Sequence, residues 1–417
     1  MTSSTQSRDG QRWVILAAAF VIVFMTVGTR STLGNFFKAI IADLQWDRGT
    51  ISFIVAVNIW LSGLLQPFTG HLMDRFGAKW LFTGSVAAFG LGVLLISLTQ
   101  SVWYLLVVYG LVMAAATAGA SITLTNALVA RWFTQRRGLA IGFTNAGSAL
   151  GQLSLVYISY LLLSAFGWRL SHVYLGLAIL IVALPMALLI PRRTARGDGV
   201  AGAAGTSRVR APLETQSWRQ ALRSLPLWQI NGGYFVCGMT VALYYTHLIP
   251  LATDRGFSPA TAAATFSVLA AASAFGSLLG GGLSDRLGRK NVLALAYFTR
   301  AVAFALLLVW RHELALYAFA LLGGVSWLAT PPSVMALTGE IYGMRALGTL
   351  GGISLLAHQI GGGLSVWLAG VLFDLTGSYD ISLLLAVLAL LGASATSFSI
   401  AERRYSVRYL TSTAPVG

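Results

Sequence analysis

Gly70-His71-Leu72-Met73-Asp74-Arg75-Phe76-Gly77-Ala78-Lys79 returns 211 residues later as Gly281-Gly282-Leu283-Ser284-Asp285-Arg286-Leu287-Gly288-Arg289-Lys290. Each copy of the pattern Gly-x-x-x-Asp-Arg-x-Gly-x-Lys closes one apolar run and opens the next. Other landmarks keep nearly the same distance. Asp43 is echoed by Asp254 (254 − 43 = 211), Gly167 by Gly377 (377 − 167 = 210) and Arg137 by Arg345 (345 − 137 = 208). A shared offset at four places marks a duplicated unit of six apolar runs.

The runs are long enough to cross a bilayer. Of the 417 residues, 56% are hydrophobic and only 10% charged, against about 25% charged in soluble domains. Spans of roughly 20 apolar residues are expected near 13–37, 49–70, 78–98, 102–131, 138–162 and 168–190. The second set is expected near 227–253, 260–282, 290–310, 313–340, 345–373 and 379–401. The first run is too long for a signal-peptide core and continues into further helical sequence. One long connection remains, polar and without periodicity, which reads as a linker. The expected organisation is a bundle over 1–190, a cytoplasmic linker over 191–224, a second bundle over 225–401 and a cytoplasmic tail over 402–417.

The formal charge of +15 invites a nucleic-acid reading, but its placement argues for topology. Only Lys38, Arg48, Arg169, Arg255 and Arg311 of the 28 basic residues fall in loops facing away from the N-terminus. Arg30 and Arg300 fall inside spans, and the other 21 lie in segments on the N-terminal side. Basic loops stay in the cytoplasm, so both termini are expected inside, at the cell inner (plasma) membrane. The single Cys237 excludes an intramolecular disulfide.

The doubled motif resembles the signature loop of the major facilitator superfamily, and the likeness covers essentially the whole chain. It implies an all-α membrane protein with 12 transmembrane helices in two pseudo-symmetric six-helix bundles. Within that superfamily the chain is similar to the bacterial monocarboxylate-transporter-like group. The stretches Gly28-Thr29-Arg30-Ser31-Thr32-Leu33-Gly34-Asn35-Phe36-Phe37-Lys38, Ala130-Arg131-Trp132-Phe133, Arg137-Gly138-Leu139-Ala140, His247-Leu248-Ile249-Pro250 and Phe373-Asp374-Leu375-Thr376-Gly377 carry that likeness. Monocarboxylate carriers typically hold an arginine in the eighth span to pair with the substrate carboxylate. Here the corresponding position reads Ser277. The resemblance also implies a monomer, and a gate in which Asp74, Arg75, Arg131, Arg137, Asp285 and Arg286 latch the cytoplasmic side. A carboxylate at such a helix end can hold neighbouring arginines by charge-assisted hydrogen bonds.

Ionisable side chains at mid-bilayer cost roughly 2.5–3.5 kcal/mol on insertion scales, so each asks for a role. Every Asp and Glu falls at a span end, a loop or a tail. No buried acid remains to hold Na⁺ or an organic cation. The ionisable groups left inside are Arg30, Arg300, His247 and His358, which favours an anionic substrate and leaves H⁺ as the coupling ion.

Arg30 lies about 25 Å along a helix that starts near Trp13, and its guanidinium suits a carboxylate bidentately. His358, near the midplane beside Gln359, titrates near neutrality and is the foremost proton-coupling candidate, with His247 second. Arg300, on a peripheral support helix by resemblance, reads as structural, its charge met by carbonyls or hydroxyls. Polar residues at helical spacing complete the candidate substrate contacts: Asn35, Asn58, Thr117, Ser121, Asn145, Gln152, Tyr234, Ser277 and Trp327. The same stripes could instead bond helix to helix.

The expected activity is secondary transport of a small organic anion by alternating access, as proton symport. An exporter or exchanger of a drug-like or neutral solute is the alternative on the same fold. No His-Glu-x-x-His, paired acids or Walker loop is found, so neither an enzyme nor an ATP-driven pump is expected, and no cofactor or metal.

Overall fold

The computed structural model describes residues 2–133, 137–191, 213–214, 218–327, 329–343 and 347–410. Within these it gives no side-chain description for 2–10, 74, 137, 138, 218, 277–282, 285, 408 and 410. Among the described residues the chain is helical throughout. Eleven helices are long and apolar enough to cross a membrane, and one of them, Leu139–Leu188, runs for 50 residues. That helix is two spans joined at Gly167, where φ is +71°. A span boundary at Gly167 brings the total to twelve.

The first span runs Thr2–Ser31 and, after a break at Thr32, Leu33–Leu44. The second is Arg48–Phe76, the third Ala78–Ile96. The fourth is discontinuous: Val102–Leu105, a π-helical stretch Leu106–Val112, Met113–Gly119, then Ile122–Trp132. The fifth and sixth lie in Arg137–Ala178, which continues through a π stretch Ile179–Ala183 to Leu184–Leu188. The seventh to ninth are Leu225–Asp254, Pro259–Leu287 and Arg289–Val309. The tenth is described in two pieces, Glu313–Trp327 and Thr330–Tyr342. Leu347–Thr376 and Asp380–Phe398 end the series, followed by short helices Glu402–Tyr405 and Val407–Leu410.

Local chemistry sets the boundaries. Gly77 and Gly288, the second glycines of the two signature motifs, have φ of +87° and +94°. A residue with a Cβ is strained in that conformation, so the motif needs glycine where the chain reverses between spans. The Asp47 side chain caps the second span by accepting from Thr50 N at 2.5 Å.

The duplication is visible as repeated contacts. Gly151 packs on the Phe24 backbone, and Gly361 packs on the Phe235 backbone, offsets of 210 (361 − 151) and 211 (235 − 24). Asn35 Nδ2 donates to the Val156 carbonyl at 2.7 Å, and His247 Nε2–H donates to the Val366 carbonyl at 3.1 Å. Lys79 Nζ donates to the Leu188 carbonyl, as Lys290 Nζ does to Phe398 at 2.8 Å. Small residues at the crossings let backbones touch, which is how helices associate where lipid supplies no hydrophobic drive.

Two compact units make up the chain. The first comprises 1–197, 244–270 and 366–377; the second 198–243, 271–365 and 378–417. The first unit thus takes in the ends of the seventh and eleventh spans and the start of the eighth. Of the linker, the described pieces are Leu213, whose N–H donates to the Ile341 carbonyl at 3.2 Å, and the turn Trp218–Ala221. The tail folds back on the signature loop of its own unit. Buried Glu402 accepts from Arg289 N at 2.9 Å and Lys290 N at 3.1 Å, while Arg289 pairs with Glu340 at 3.1 Å. A carboxylate on a helix N-terminus is the expected polarity.

Candidate functional site

In the first unit, polar groups from the first, fifth and seventh spans converge. The Tyr245 hydroxyl donates to Gln152 Oε1 at 2.6 Å, and Gln152 Nε2 donates to Ser148 Oγ at 3.1 Å. Arg30 and Ser31 lie beside Tyr245, and Arg30 also faces Tyr109. Arg30 is half-buried, and among the described residues no carboxylate and no hydrogen-bond acceptor pairs with it. Nearby, Asn145 Oδ1 accepts from Asn126 Nδ2 at 3.0 Å.

The other first-unit candidates make hydrogen bonds to neighbouring spans or within their own. Asn35 commits its amide to Val156 and to Ser159 Oγ, both at 2.7 Å, tying the first span to the fifth. Asn58 Nδ2 donates to the Tyr109 carbonyl at 2.7 Å, tying the second to the fourth. His247 is buried, bonded to Val366 and edge-on to Phe37 at 5.3 Å. The stripe Thr117, Ser121, Thr125 does not form. The fourth span breaks at Ala120, Ser121 caps the new helix by accepting from Leu124 N, and buried Thr125 donates back to the Ser121 carbonyl at 2.8 Å. A capping serine can end one helical segment and start the next, so four-residue spacing alone does not prove one face.

In the second unit the rings of Tyr234 and His358 stand 4.7 Å apart, and His358 Nδ1–H points to Gln359 Oε1 at 3.4 Å. Asn231 Oδ1 accepts from Ser354 Oγ at 2.6 Å. Trp327 is half-buried at the end of the tenth span's first piece. Behind these sits Arg300, 1% exposed. Its Nη1 donates to Cys237 Sγ and Thr240 Oγ1, each at 3.3 Å, and its Nη2 to the Ser326 carbonyl at 3.0 Å. Arg300 is therefore met by a main-chain carbonyl, a hydroxyl and a thiol in place of a carboxylate. Replacing it with methionine is expected to lower the thermal midpoint in detergent by several degrees, because Cys237 and Thr240 lose their donor. An unchanged midpoint would refute that role.

At the ends of the spans facing away from the signature loops, the first unit carries an ionic clasp. Arg48 grips Asp254 through both guanidinium nitrogens, at 2.5 and 3.0 Å, and Lys38 reaches the same carboxylate at 2.8 Å. Arg48 lies over the Phe373 ring at 3.5 Å, while Asp374 accepts from Arg48 N at 3.1 Å and Gly49 N at 2.6 Å. Asp43, the counterpart of Asp254, pairs instead with Arg169 at 2.9 Å.

Of the signature-loop group, Arg75 and Arg286 are exposed and Arg131 is half-buried. The side chains of Asp74, Arg137 and Asp285, like that of Ser277, lie outside the described residues. Sequence reasoning missed Tyr109, Tyr245 and Asn126, which only the fold brings to these clusters.

A duplicated helical scaffold with polar clusters inside its spans defines a membrane transporter rather than an enzyme. The family profile described as the Major Facilitator Superfamily matches residues 19–365 and 230–408, and the chain belongs to that superfamily. It is 28% identical over 380 residues to the uncharacterized MFS-type transporter YcxA of Bacillus subtilis (strain 168), covering 88% of this chain and 90% of that one. It is 28% identical over 394 residues to monocarboxylate transporter 13 of Bos taurus, covering 92% and 88%. Against monocarboxylate transporter 11 of Homo sapiens it is 28% identical over 403 residues, covering 92% and 82%. The fold matches the crystal structure of a bacterial homolog to the human lysosomal transporter Spinster with TM-score 0.74 at 17% identity, covering 98% and 99%.

Proposed function

We propose that the chain is a proton-coupled symporter of a small monocarboxylate-like anion at the cell inner membrane. Both termini are cytoplasmic, and the bundles 1–190 and 225–401 move about the linker 191–224. The observation that carries this reading is Arg30: a half-buried guanidinium inside a span, facing Tyr109 and Tyr245, with no carboxylate to neutralise it among the described residues. A cation kept unpaired in a low-dielectric site is costly unless a mobile anion completes it. The relatives named as monocarboxylate transporters support the same substrate class.

His358 serves as the proton carrier in this reading, with Tyr234 and Gln359 as its neighbours. The clasp at Asp254 is the gate on the non-cytoplasmic side, and the signature loops are its counterpart on the cytoplasmic side. Uptake of labelled lactate, pyruvate, oxalate and an aromatic acid into proteoliposomes tests the whole. An inward proton gradient should drive uptake of at least one acid, and Arg30→Ala should reduce that uptake by about 100-fold, the loss of a charge-assisted pair. Counterflow of a neutral or cationic solute in the absence of acid uptake would overturn the anion reading. His358→Gln should retain acid–acid exchange while losing stimulation by the gradient. Full stimulation in that variant would remove His358 from the coupling role.

A further inference from the structure

Arg300 holds its charge on a side chain 1% exposed, and a guanidinium does not give up its proton inside a protein. Its partners are all neutral as drawn, and its Nε is buried without one. A buried cation of this kind calls for a counter-charge. The described acids of the second unit lie elsewhere. Glu340 pairs with Arg289, Asp380 with Arg311, and Glu402 accepts from the Arg289 and Lys290 amides. Glu214 belongs to the linker, and Glu313 opens the tenth span.

Among the described residues, two groups beside the guanidinium can become negative. The Tyr297 ring lies 6.0 Å from Arg300 Cζ, and its buried hydroxyl has no partner. Cys237 Sγ receives Arg300 Nη1 at 3.3 Å. The thiol is the nearer, and a thiol ionises more readily than a phenol.

The sulfur also has a neighbour to exchange a proton with. A Cβ on Gly238 would overlap the His358 backbone, so glycine next to Cys237 lets the eleventh span approach the seventh. That approach puts the His358 ring within hydrogen-bond range of the Cys237 sulfur. Because Nδ1–H points to Gln359 Oε1, Nε2 is the nitrogen left to take a proton. The remaining ionisable group facing the pair is Tyr234, stacked on His358. The tenth span adds Thr330 Oγ1, 3.2 Å from the sulfur. Thr330 gives its own hydrogen to the Trp327 carbonyl at 2.8 Å, so toward Cys237 it is an acceptor for a protonated thiol. His358 is half-buried and Cys237 fully buried, which makes the imidazole the outer member of the pair.

We propose that Cys237 and His358 share the coupling proton, with Arg300 as the fixed cation that makes the thiolate the resting form of the sulfur. The inference rests on the proton-symport reading and names the group with which His358 exchanges its proton. In the empty form thiolate and guanidinium cancel and the imidazole is neutral. Loading forms an Nε2–H bond with a proton from solution. Inward transfer breaks that bond and forms S–H, with the hydrogen directed at Thr330 Oγ1. In either position the cluster gains one positive charge, the complement of one cotransported monoanion. Unloading reverses the steps.

Cys237 is the sole cysteine, so the infrared S–H stretch, in a region where no other protein group absorbs, reports on it alone. In full-length protein in nanodiscs the band should be absent at neutral pH and appear reversibly on acidification. It should already be present at neutral pH in Arg300→Gln. Cys237→Ser, which keeps the size of the side chain but does not ionise, should show the same acid uptake with and without an inward proton gradient. A full S–H band in wild type at neutral and alkaline pH would overturn the proposal, and this measurement decides even if the variants do not fold. Wild-type gradient stimulation in Cys237→Ser, with stimulation lost in His358→Gln, would leave His358 as the carrier and remove the shared proton. Full stimulation in both variants would overturn the proton-coupling reading together with this one.

Discussion

Asp254→Asn is expected to loosen the end of the protein that faces away from the signature loops. The variant keeps the shape of the side chain but removes the charge that holds Arg48 and Lys38. Exposed ion pairs contribute about 0.2–1 kcal/mol, and breaking a buried one costs about 3–5 kcal/mol. Side chains of Arg48 and Asp254 are 12% and 20% exposed, so an intermediate value of about 2 kcal/mol applies, close to a 30-fold shift in a two-state equilibrium. Hydrogen exchange reads the result directly. Amides of Arg48 and Gly49, bonded to Asp374 in the same clasp, should exchange at least about tenfold faster. Unchanged protection there would show that the clasp does not hold this end closed.

The second large effect concerns the helix crossings. A Cβ on Gly151 would overlap the Phe24 backbone, and one on Gly361 the Phe235 backbone. Neither obstacle is a flexible side-chain tip, so the helices must separate. Overpacking of this kind costs about 1–3 kcal/mol or more. Gly151→Val and Gly361→Val are each expected to lower the thermal midpoint by about 5–10 °C. Gly142 is helical and has open space around its Cβ position, so Gly142→Ala should leave the midpoint unchanged or raise it slightly. Equal midpoints for all three variants would mean that the crossings are not held by backbone contact. Parallel losses at Gly151 and Gly361 would also show that the two copies of the scaffold rely on one packing solution.

Why the scaffold is readable and the site less so follows from what a sequence pattern encodes. Span lengths depend on bilayer thickness, and the repeat depends on offsets that survive as landmarks. Asp74 and Asp285 therefore expose the duplication by their spacing alone. A polar residue inside a span is ambiguous because the same amide can meet a substrate or a neighbouring helix. Asn35, Asn58 and His247 look like cavity donors in sequence and are committed to the carbonyls of Val156, Tyr109 and Val366. The Asn35 and His247 contacts show the difficulty well. Neighbouring positions of the two repeats (247 − 35 = 212) bond corresponding carbonyls (366 − 156 = 210) through different side chains, so the shared element is a backbone acceptor that no residue letter records. Ser121 shows another difficulty: periodicity assumes an unbroken helix, and a serine cap interrupts it. Tyr109 and Tyr245 were hidden because their place beside Arg30 comes only from the packing of other spans against the first.

Arg300 draws its partners from the seventh and tenth spans rather than from an acid, and one of them is Cys237, the sole cysteine of the chain and fully buried. This chain is therefore expected to be silent toward membrane-impermeant maleimides. A single cysteine introduced at the clasp or along a signature loop would be labelled without background, and its reactivity could be followed through the transport cycle in an otherwise wild-type chain. The customary first step, deleting the native cysteine, would remove an acceptor from a buried guanidinium and disturb the protein the label is meant to report on.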